Sequence, residues 1–248
     1  MSVTIIIPAR YASTRYPGKP LVALTGATGV ARTLVARSWD AAQAAAIEAK
    51  VVVATDDDRI AEHCADIGAE VVMTPIACRN GTERCAAAGR GLGLSDEDVV
   101  VNLQGDAPLT PPHFIDALVA AMDAGATVAT PVLRLDAEGL SGFREDRAAG
   151  RVGGTTAVFD RAMRALYFSK EVIPYTGRDY AAGEEIPVFH HVGVYAYSVA
   201  ALTAYASWPE APLETLEGLE QLRFMENGAP VTCVEVDAQG RQFWELSA

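Results

Sequence analysis

Short apolar runs at residues 3–8, 50–55, 70–73 and 99–103 alternate with stretches of helical period, and this alternation constrains the chain more than any other feature. Runs of that length with no polar alternation suit strands covered on both faces, and helices between them suit βαβ crossovers. The pattern predicts an α/β fold built on a mostly parallel sheet. In such sheets ligands bind beyond the carboxyl ends of the strands, where helix N-termini converge. The loops that follow these runs are therefore where chemistry is expected.

The same periodicity places helices over residues 30–49, after Asp56, Asp57 and Asp58, over 82–92 and over 112–124, and a strand at 127–133. Residues 136–154, rich in Gly, Ala and charge, read as a mobile connection. Beyond it, 155–159, 165–169 and 188–197 read as strands of a smaller antiparallel region. Helices at 199–206 and 213–226 and a strand at 231–236 complete the pattern. At 248 residues, 50% of them hydrophobic, a single domain over 1–248 can bury a core that needs no disulfide or metal staple.

Charge narrows the partners. The balance of 20 Lys plus Arg against 32 Asp plus Glu gives −12, with no basic run interleaved with aromatics, which argues against nucleic acid. The apolar opening at 3–7 is too short to span a bilayer and lacks a basic lead, so a cytoplasmic protein without membrane attachment is expected. Cys64, Cys78, Cys85 and Cys233 form no CxxC pair and read as reduced thiols.

Against that acidic background, the loop after the first run carries Arg10, Arg15 and Lys19. Arginine forks and a lysine point charge suit polyphosphate oxygens. Pro20 follows Lys19 where a Walker loop needs a hydroxyl for magnesium, so this is not a P-loop of that type, and a solvated basic loop is the alternative reading. After the fourth run, Gln104-Gly105-Asp106 puts one carboxylate where it can reach a Mg²⁺ bridging phosphate oxygens, although a turn-capping Asp has the same signature.

The order of these pieces resembles a known family. PARYASTRYPGKPL at 8–21, VATDDDRI at 53–60, NGTER at 80–84, NLQGD at 102–106, ALYFSK at 165–170, HHVGVYAY at 190–197 and LEQLR at 219–223 are similar to motifs of the 3-deoxy-manno-octulosonate (Kdo) cytidylyltransferases. The resemblance implies a Rossmann-like nucleotide-diphospho-sugar transferase fold and Mg²⁺-dependent transfer of CMP from CTP to a small anionic acceptor, with release of pyrophosphate. It implies a CTP-binding half over 1–135 and an acceptor-binding and dimerisation half over 155–248. Arg10, Arg15 and Lys19 would hold the triphosphate, with Pro8 and Ala9 near the base. Thr82 and Arg84 would help select cytosine, Gln104 would contact CTP and Asp106 would bind the metal; Lys19, Arg10 and Asp106 are the expected catalytic set. A homodimer is implied as well, with residues 188–197 and the helix after them as its interface.

On the acceptor side His191, Tyr195, Glu220 and Gln221 match family positions, while other positions depart. The family's Gln-Gly-Asp-Glu-Pro reads Ala107 at its fourth place, the Arg after Tyr-Phe-Ser is Lys170, a lysine is Thr156, and the Arg before the His is His190. Where the family has Val-Asp-Thr-Pro-Glu-Asp-Leu, the chain reads Gly240-Arg241-Gln242-Phe243-Trp244-Glu245-Leu246; Asp237 lies nearby. A hydroxyl acceptor must lose a proton, for which a second metal carboxylate is useful, whereas a phosphonate oxygen is already anionic. Similar cytidylyltransferases activate phosphonates, so a phosphonate such as phosphonoformate is the expected acceptor, received by Arg151, Lys170, His190 and His191. Kdo or 8-amino-Kdo is the alternative acceptor, and a nucleotide-binding regulator without catalysis is the rival class. A packed, hydrogen-bonded structural role is the alternative reading for His191 and Tyr195.

Overall fold

The computed structural model describes residues 1–12, 16–26, 29–152 and 154–240. In chain order it contains β1 (Val3–Ala9), a 3₁₀ turn (Lys19–Leu21), β2 (Ala23–Thr25), β3 (Ala31–Thr33), α1 (Leu34–Gln43), β4 (Lys50–Thr55), α2 (Asp58–Asp66), β5 (Glu70–Met73), α3 (Gly81–Gly91) and β6 (Val99–Leu103). There follow α4 (Pro112–Asp123), β7 (Val128–Arg134), α5 (Ala137–Ala148), β8 (Thr155–Phe159), β9 (Ala165–Ser169), β10 (Phe189–His191), β11 (Val194–Ser198), α6 (Val199–Ser207), α7 (Pro212–Glu217), α8 (Leu222–Glu226) and β12 (Thr232–Glu235).

The apolar runs form the parallel order β5-β4-β1-β6, which continues without a break through β11-β7-β10-β8-β9. From β11 onward neighbours on this path are antiparallel, and β12 lies parallel to β7. This is the α/β fold that the alternation demands. One face packs Ile5, Ile7, Val101 and Leu103 against Val35 of α1 and Phe114 and Leu118 of α4. The other packs Ile6, Val100, Tyr195 and Tyr197 against Cys85 of α3, Leu202 of α6 and Phe224 of α8. Each of these large side chains contributes about 1.5–3 kcal/mol by leaving water. All four cysteines are free thiols. Among the described residues no helix is long and apolar enough to cross a membrane.

Several elements differ from the sequence expectation, each for a local reason. The helix expected over 30–49 spans only Leu34–Gln43, because Asp116 Oδ1 accepts the N–H groups of Ala46 and Ile47 at 2.9 and 3.2 Å and draws the alanine-rich tail out of helical register. The expected mobile connection at 136–154 holds α5, capped by the Asp136 side chain accepting the Gly139 N–H at 2.7 Å. The single strand expected at 188–197 is two, running end to end along β7. Both are interior strands paired on two sides, so the homodimer interface expected at 188–197 has no free edge there. The helix expected at 213–226 breaks at Gly218, whose φ of 62° ends α7 in a left-handed cap. That break produces the turn carrying Glu220 and Gln221.

Candidate active site

Beyond the carboxyl ends of β1 and β6 lies a cleft of about 420 Å³, whose walls include Pro8, Ala9, Arg10, Tyr16, Lys19, Arg84, Gln104, Gly105, Asp106 and Glu220. Two strand ends and the start of α3 approach one another closely here. A Cβ on Gly105 would stand 2.8 Å from the Pro8 carbonyl oxygen, so only glycine lets β1 and the turn after β6 meet. Lys19 opens the 3₁₀ turn and reaches across to Asp106, Nζ to Oδ2 at 2.6 Å. Arg10 Nη1 donates to the Arg79 carbonyl at 3.4 Å. Arg15 lies outside the described residues.

The loop after β1 is fastened by α2. Arg59 lies 3.3 Å over the Tyr11 ring and forms a two-pronged bond to Asp57, which also caps α2. The Arg59 guanidinium holds the Asp57 carboxyl below its ordinary value. Deeper in the cleft, Arg84 is 3% exposed, donates to Thr74 Oγ1 at 2.6 Å and lies 3.3 Å from Asp56. Gln104 is steadied by Asn102 Oδ1 at 3.3 Å.

Thr82 does not line the cleft as expected for a base contact, because it is fully buried and committed elsewhere. Its N–H and hydroxyl donate to Glu220 Oε2 at 3.0 and 2.7 Å, and the hydroxyl also meets Tyr197 OH at 3.1 Å. Burial raises the Glu220 carboxyl pKa, and the Thr82 bonds oppose that rise. Glu220 is thus where the cleft touches the second half of the chain.

The remaining acceptor-side residues divide by sheet face. On the Glu220 side, Tyr195 OH donates to Gln221 Oε1 at 3.0 Å, and His191 makes ring contact with Tyr195 and bonds to Thr130 and Thr155, both at 3.0 Å. Gln221 Nε2 is a buried donor with no partner among the described residues. Lys170 Nζ reaches the same turn, 2.9 Å from where a Gly218 Cβ would stand.

His190, one strand residue earlier, faces the opposite side, against Phe143 and the Thr155 carbonyl. Burial lowers the imidazole pKa of His190 to about 4 and that of His191 to about 3. Neither offers a cation near neutral pH, which corrects the expectation that they receive anionic groups. Arg151 is paired with Asp146 at 2.9 Å on the surface and takes no part in the cleft. Thr156, at the family's lysine position, ties Glu171 and Ile173 backbone instead.

Among the described residues no group of three or more His, Cys, Asp or Glu could hold a metal ion. The cleft walls carry two carboxylates, Asp106 and the hydrogen-bonded Glu220. One half-exposed carboxylate beside a phosphate loop fits a hard cation that arrives with most of its oxygen ligands on polyphosphate and water. Asp237 adds nothing to this set, since its carboxylate caps the Gln239 N–H at 2.7 Å away from the cleft walls. Residues 241–248, including Gln242, lie outside the described residues. Tyr16, Cys78, Arg79 and Asn80 also line the cleft; Tyr16 and Asn80 lie within the motifs at 8–21 and 80–84, and Cys78 and Arg79 directly precede the second.

Residues 4–235 match the cytidylyltransferase family. The chain is 44% identical to 3-deoxy-manno-octulosonate cytidylyltransferase of Maricaulis maris, covering 100% of this chain and 93% of that one. It is 39% identical to the enzyme of that name from Desulfatibacillum aliphaticivorans, covering 94% and 90%. A solved CMP:2-keto-3-deoxy-manno-octonic acid synthetase, complexed with CTP, superposes with a TM-score of 0.80 at 32% identity over 96% of this chain and 91% of its own. These names favour the sugar-acid alternative over the phosphonate acceptor that the departures suggest. With a family match over residues 4–235, identity of 44% across the whole chain and a shared fold, the chain belongs to the 3-deoxy-manno-octulosonate cytidylyltransferase family and is a CTP-dependent cytidylyltransferase.

Proposed function

We propose that the enzyme transfers CMP from CTP to a sugar acid of the 3-deoxy-manno-octulosonate class, its 8-amino form included, releasing pyrophosphate. The observation that carries this is the meeting of both halves at one carboxylate: Glu220 of the LEQLR turn lines the cleft while bound to Thr82 at the start of α3. The relatives' names support the sugar acid.

In the proposed reaction an acceptor hydroxyl oxygen bonds to the α-phosphorus as the bond to the bridging oxygen of pyrophosphate breaks, and the hydroxyl proton passes to solvent. Alignment and neutralised charge lower the barrier. Arg10 and Lys19, with Arg15, take triphosphate oxygens; backbone at Pro8 and Ala9 lies near the base; Arg84 and Gln104 read its polar edge. Thr82 acts through Glu220. Asp106 would hold Mg²⁺, which when bound to the polyphosphate supplies neutralisation of the leaving group. Gln221 Nε2 and the Tyr195 hydroxyl serve as hydrogen-bond partners for the acceptor once the turn at 218–221 admits it, His191 steadies the Tyr195 ring, and Lys170 is the nearby cation. Arg151 and His190 have no part in this proposal. A homodimer and a cytoplasmic location belong to it, and light scattering tests the first.

The test is pyrophosphate release from CTP and Mg²⁺ with 3-deoxy-manno-octulosonate, its 8-amino analogue and phosphonoformate. Release with a sugar acid is expected. Release with phosphonoformate alone overturns the acceptor, and CTP binding without release on any of the three favours a regulator.

A further inference from the structure

The proposed chemistry leaves one large buried polar assembly without a task. Arg223 of α8 is 1% exposed, and a guanidinium is costly to bury unless its N–H groups are matched. Its Nε and Nη2 bind the two oxygens of Glu214 on α7 at 2.6 and 2.7 Å, and Nη1 donates to Glu83 Oε1 at 3.2 Å. Glu83 follows Thr82 on α3 and in turn holds Arg79 at the cleft wall. A second path runs beside the first. Asn80 Nδ2 donates to Tyr205 OH at 2.9 Å, and that hydroxyl donates to Glu214 Oε1 at 3.1 Å.

Both paths connect the same two short segments. One is 79–83, where Asn80 caps α3 and Gly81 lines the cleft; the other is 219–223, a tight turn in which the Arg223 N–H donates to the Glu220 carbonyl at 3.2 Å. A buried ion pair gains little stability over apolar packing, so two of them sharing Arg223, to Glu83 and to Glu214, are better explained by fixed geometry than by stability. We propose that Arg223 is a positioning residue: through Glu83 and Glu214 it joins the nucleotide-side turn and the acceptor-side turn into one unit, so that CTP binding orders Glu220 and Gln221 for the acceptor. This rests on the assignment of the LEQLR turn to the acceptor. Linkage then requires the acceptor to strengthen CTP binding by the same factor.

The experiment is amide hydrogen exchange on the full chain with CTP and Mg²⁺ and no acceptor. In the wild type, amides of 219–226 should slow about fivefold or more together with those of 79–84. Tyr205→Phe removes one bridging hydroxyl and keeps the ring; Arg223→Lys keeps the charge and loses the fork. In both variants the CTP-induced slowing at 219–226 should shrink while that at 79–84 remains. A merely structural role would lower the melting temperature and leave the transmitted slowing intact. Slowing confined to 79–84 in the wild type overturns the proposal, as does full transmission by Arg223→Lys or, if that variant does not fold, by Glu83→Gln, which removes the charged partner of Arg223 Nη1. Since no acceptor is present, failure here leaves the sugar-acid assignment standing, and failure of that assignment leaves this result readable.

Discussion

Lys19 Nζ stands 2.6 Å from Asp106 Oδ2, so the cation proposed for phosphate and the carboxylate proposed for metal hold each other across the cleft. Their side chains are 42% and 37% exposed, and water screens such a pair to about 0–1 kcal/mol. A polyphosphate carrying its own metal can therefore separate them. Until then, each partner keeps the other in place.

Asp106→Asn should slow pyrophosphate release by about 10²-fold or more, the size expected when one preorganised charge is lost from a phosphoryl site. Its unfolding free energy should change by less than about 1 kcal/mol, because the pair is exposed. Chelation of divalent metal should silence the wild type in the same assay. Near-normal turnover by the variant would remove Asp106 from the proposed metal role.

Gly105→Ala should damage nucleotide binding without touching any charge. The new Cβ meets the Pro8 carbonyl oxygen at 2.8 Å, and that oxygen is backbone, so β1 or the turn after β6 must shift. A cost of about 1–3 kcal/mol in stability is expected, with a raised KM for CTP. Thermal unfolding and CTP titration of the variant check both.

Thr82→Val keeps the shape of a buried side chain and removes a hydroxyl that donates to Glu220 at 2.7 Å. The lost bond should destabilise the fold by about 1–3 kcal/mol. Burial already raises the Glu220 pKa, and removing a donor that favours the ionised form raises it further. The acidic limb of the pH–rate profile should therefore move to higher pH, and an unmoved limb would separate Glu220 ionisation from turnover.

His190 and His191 titrate at about 4 and about 3 when folded, against an ordinary value of 6.5. The unfolded chain binds more protons between these values, so stability falls as pH drops from about 6.5 toward 4, by about 1.4 kcal/mol per pH unit for each imidazole. Urea unfolding between pH 7 and pH 4 measures the slope. His191→Gln should roughly halve it.

The parallel half of the sheet was legible because its strands are apolar on both faces, as Val99–Leu103 is, buried throughout. Arg10, Lys19 and Asp106 share a cleft for the same reason: each follows a strand whose end the pattern locates. The hairpin of β2 and β3 is three residues long on each side with no fully buried position, and leaves no periodic trace. The true end of α1 depends on Asp116, which comes from a distant helix, so no local propensity reveals it. On the acceptor side, strand alternation alone tells that His190 and His191 face opposite ways and cannot both meet one ligand. The surface pairing of Arg151 depends on how α5 ends, and α5 was hidden by its glycines and charges.

The most direct test follows the phosphorus atoms. When CTP, Mg²⁺ and 3-deoxy-manno-octulosonate are incubated with the enzyme, ³¹P NMR and product mass should show pyrophosphate and a CMP ester of the sugar acid in equal amounts. CDP with free phosphate, or CTP left intact beside the sugar acid while phosphonoformate is consumed, would contradict the account.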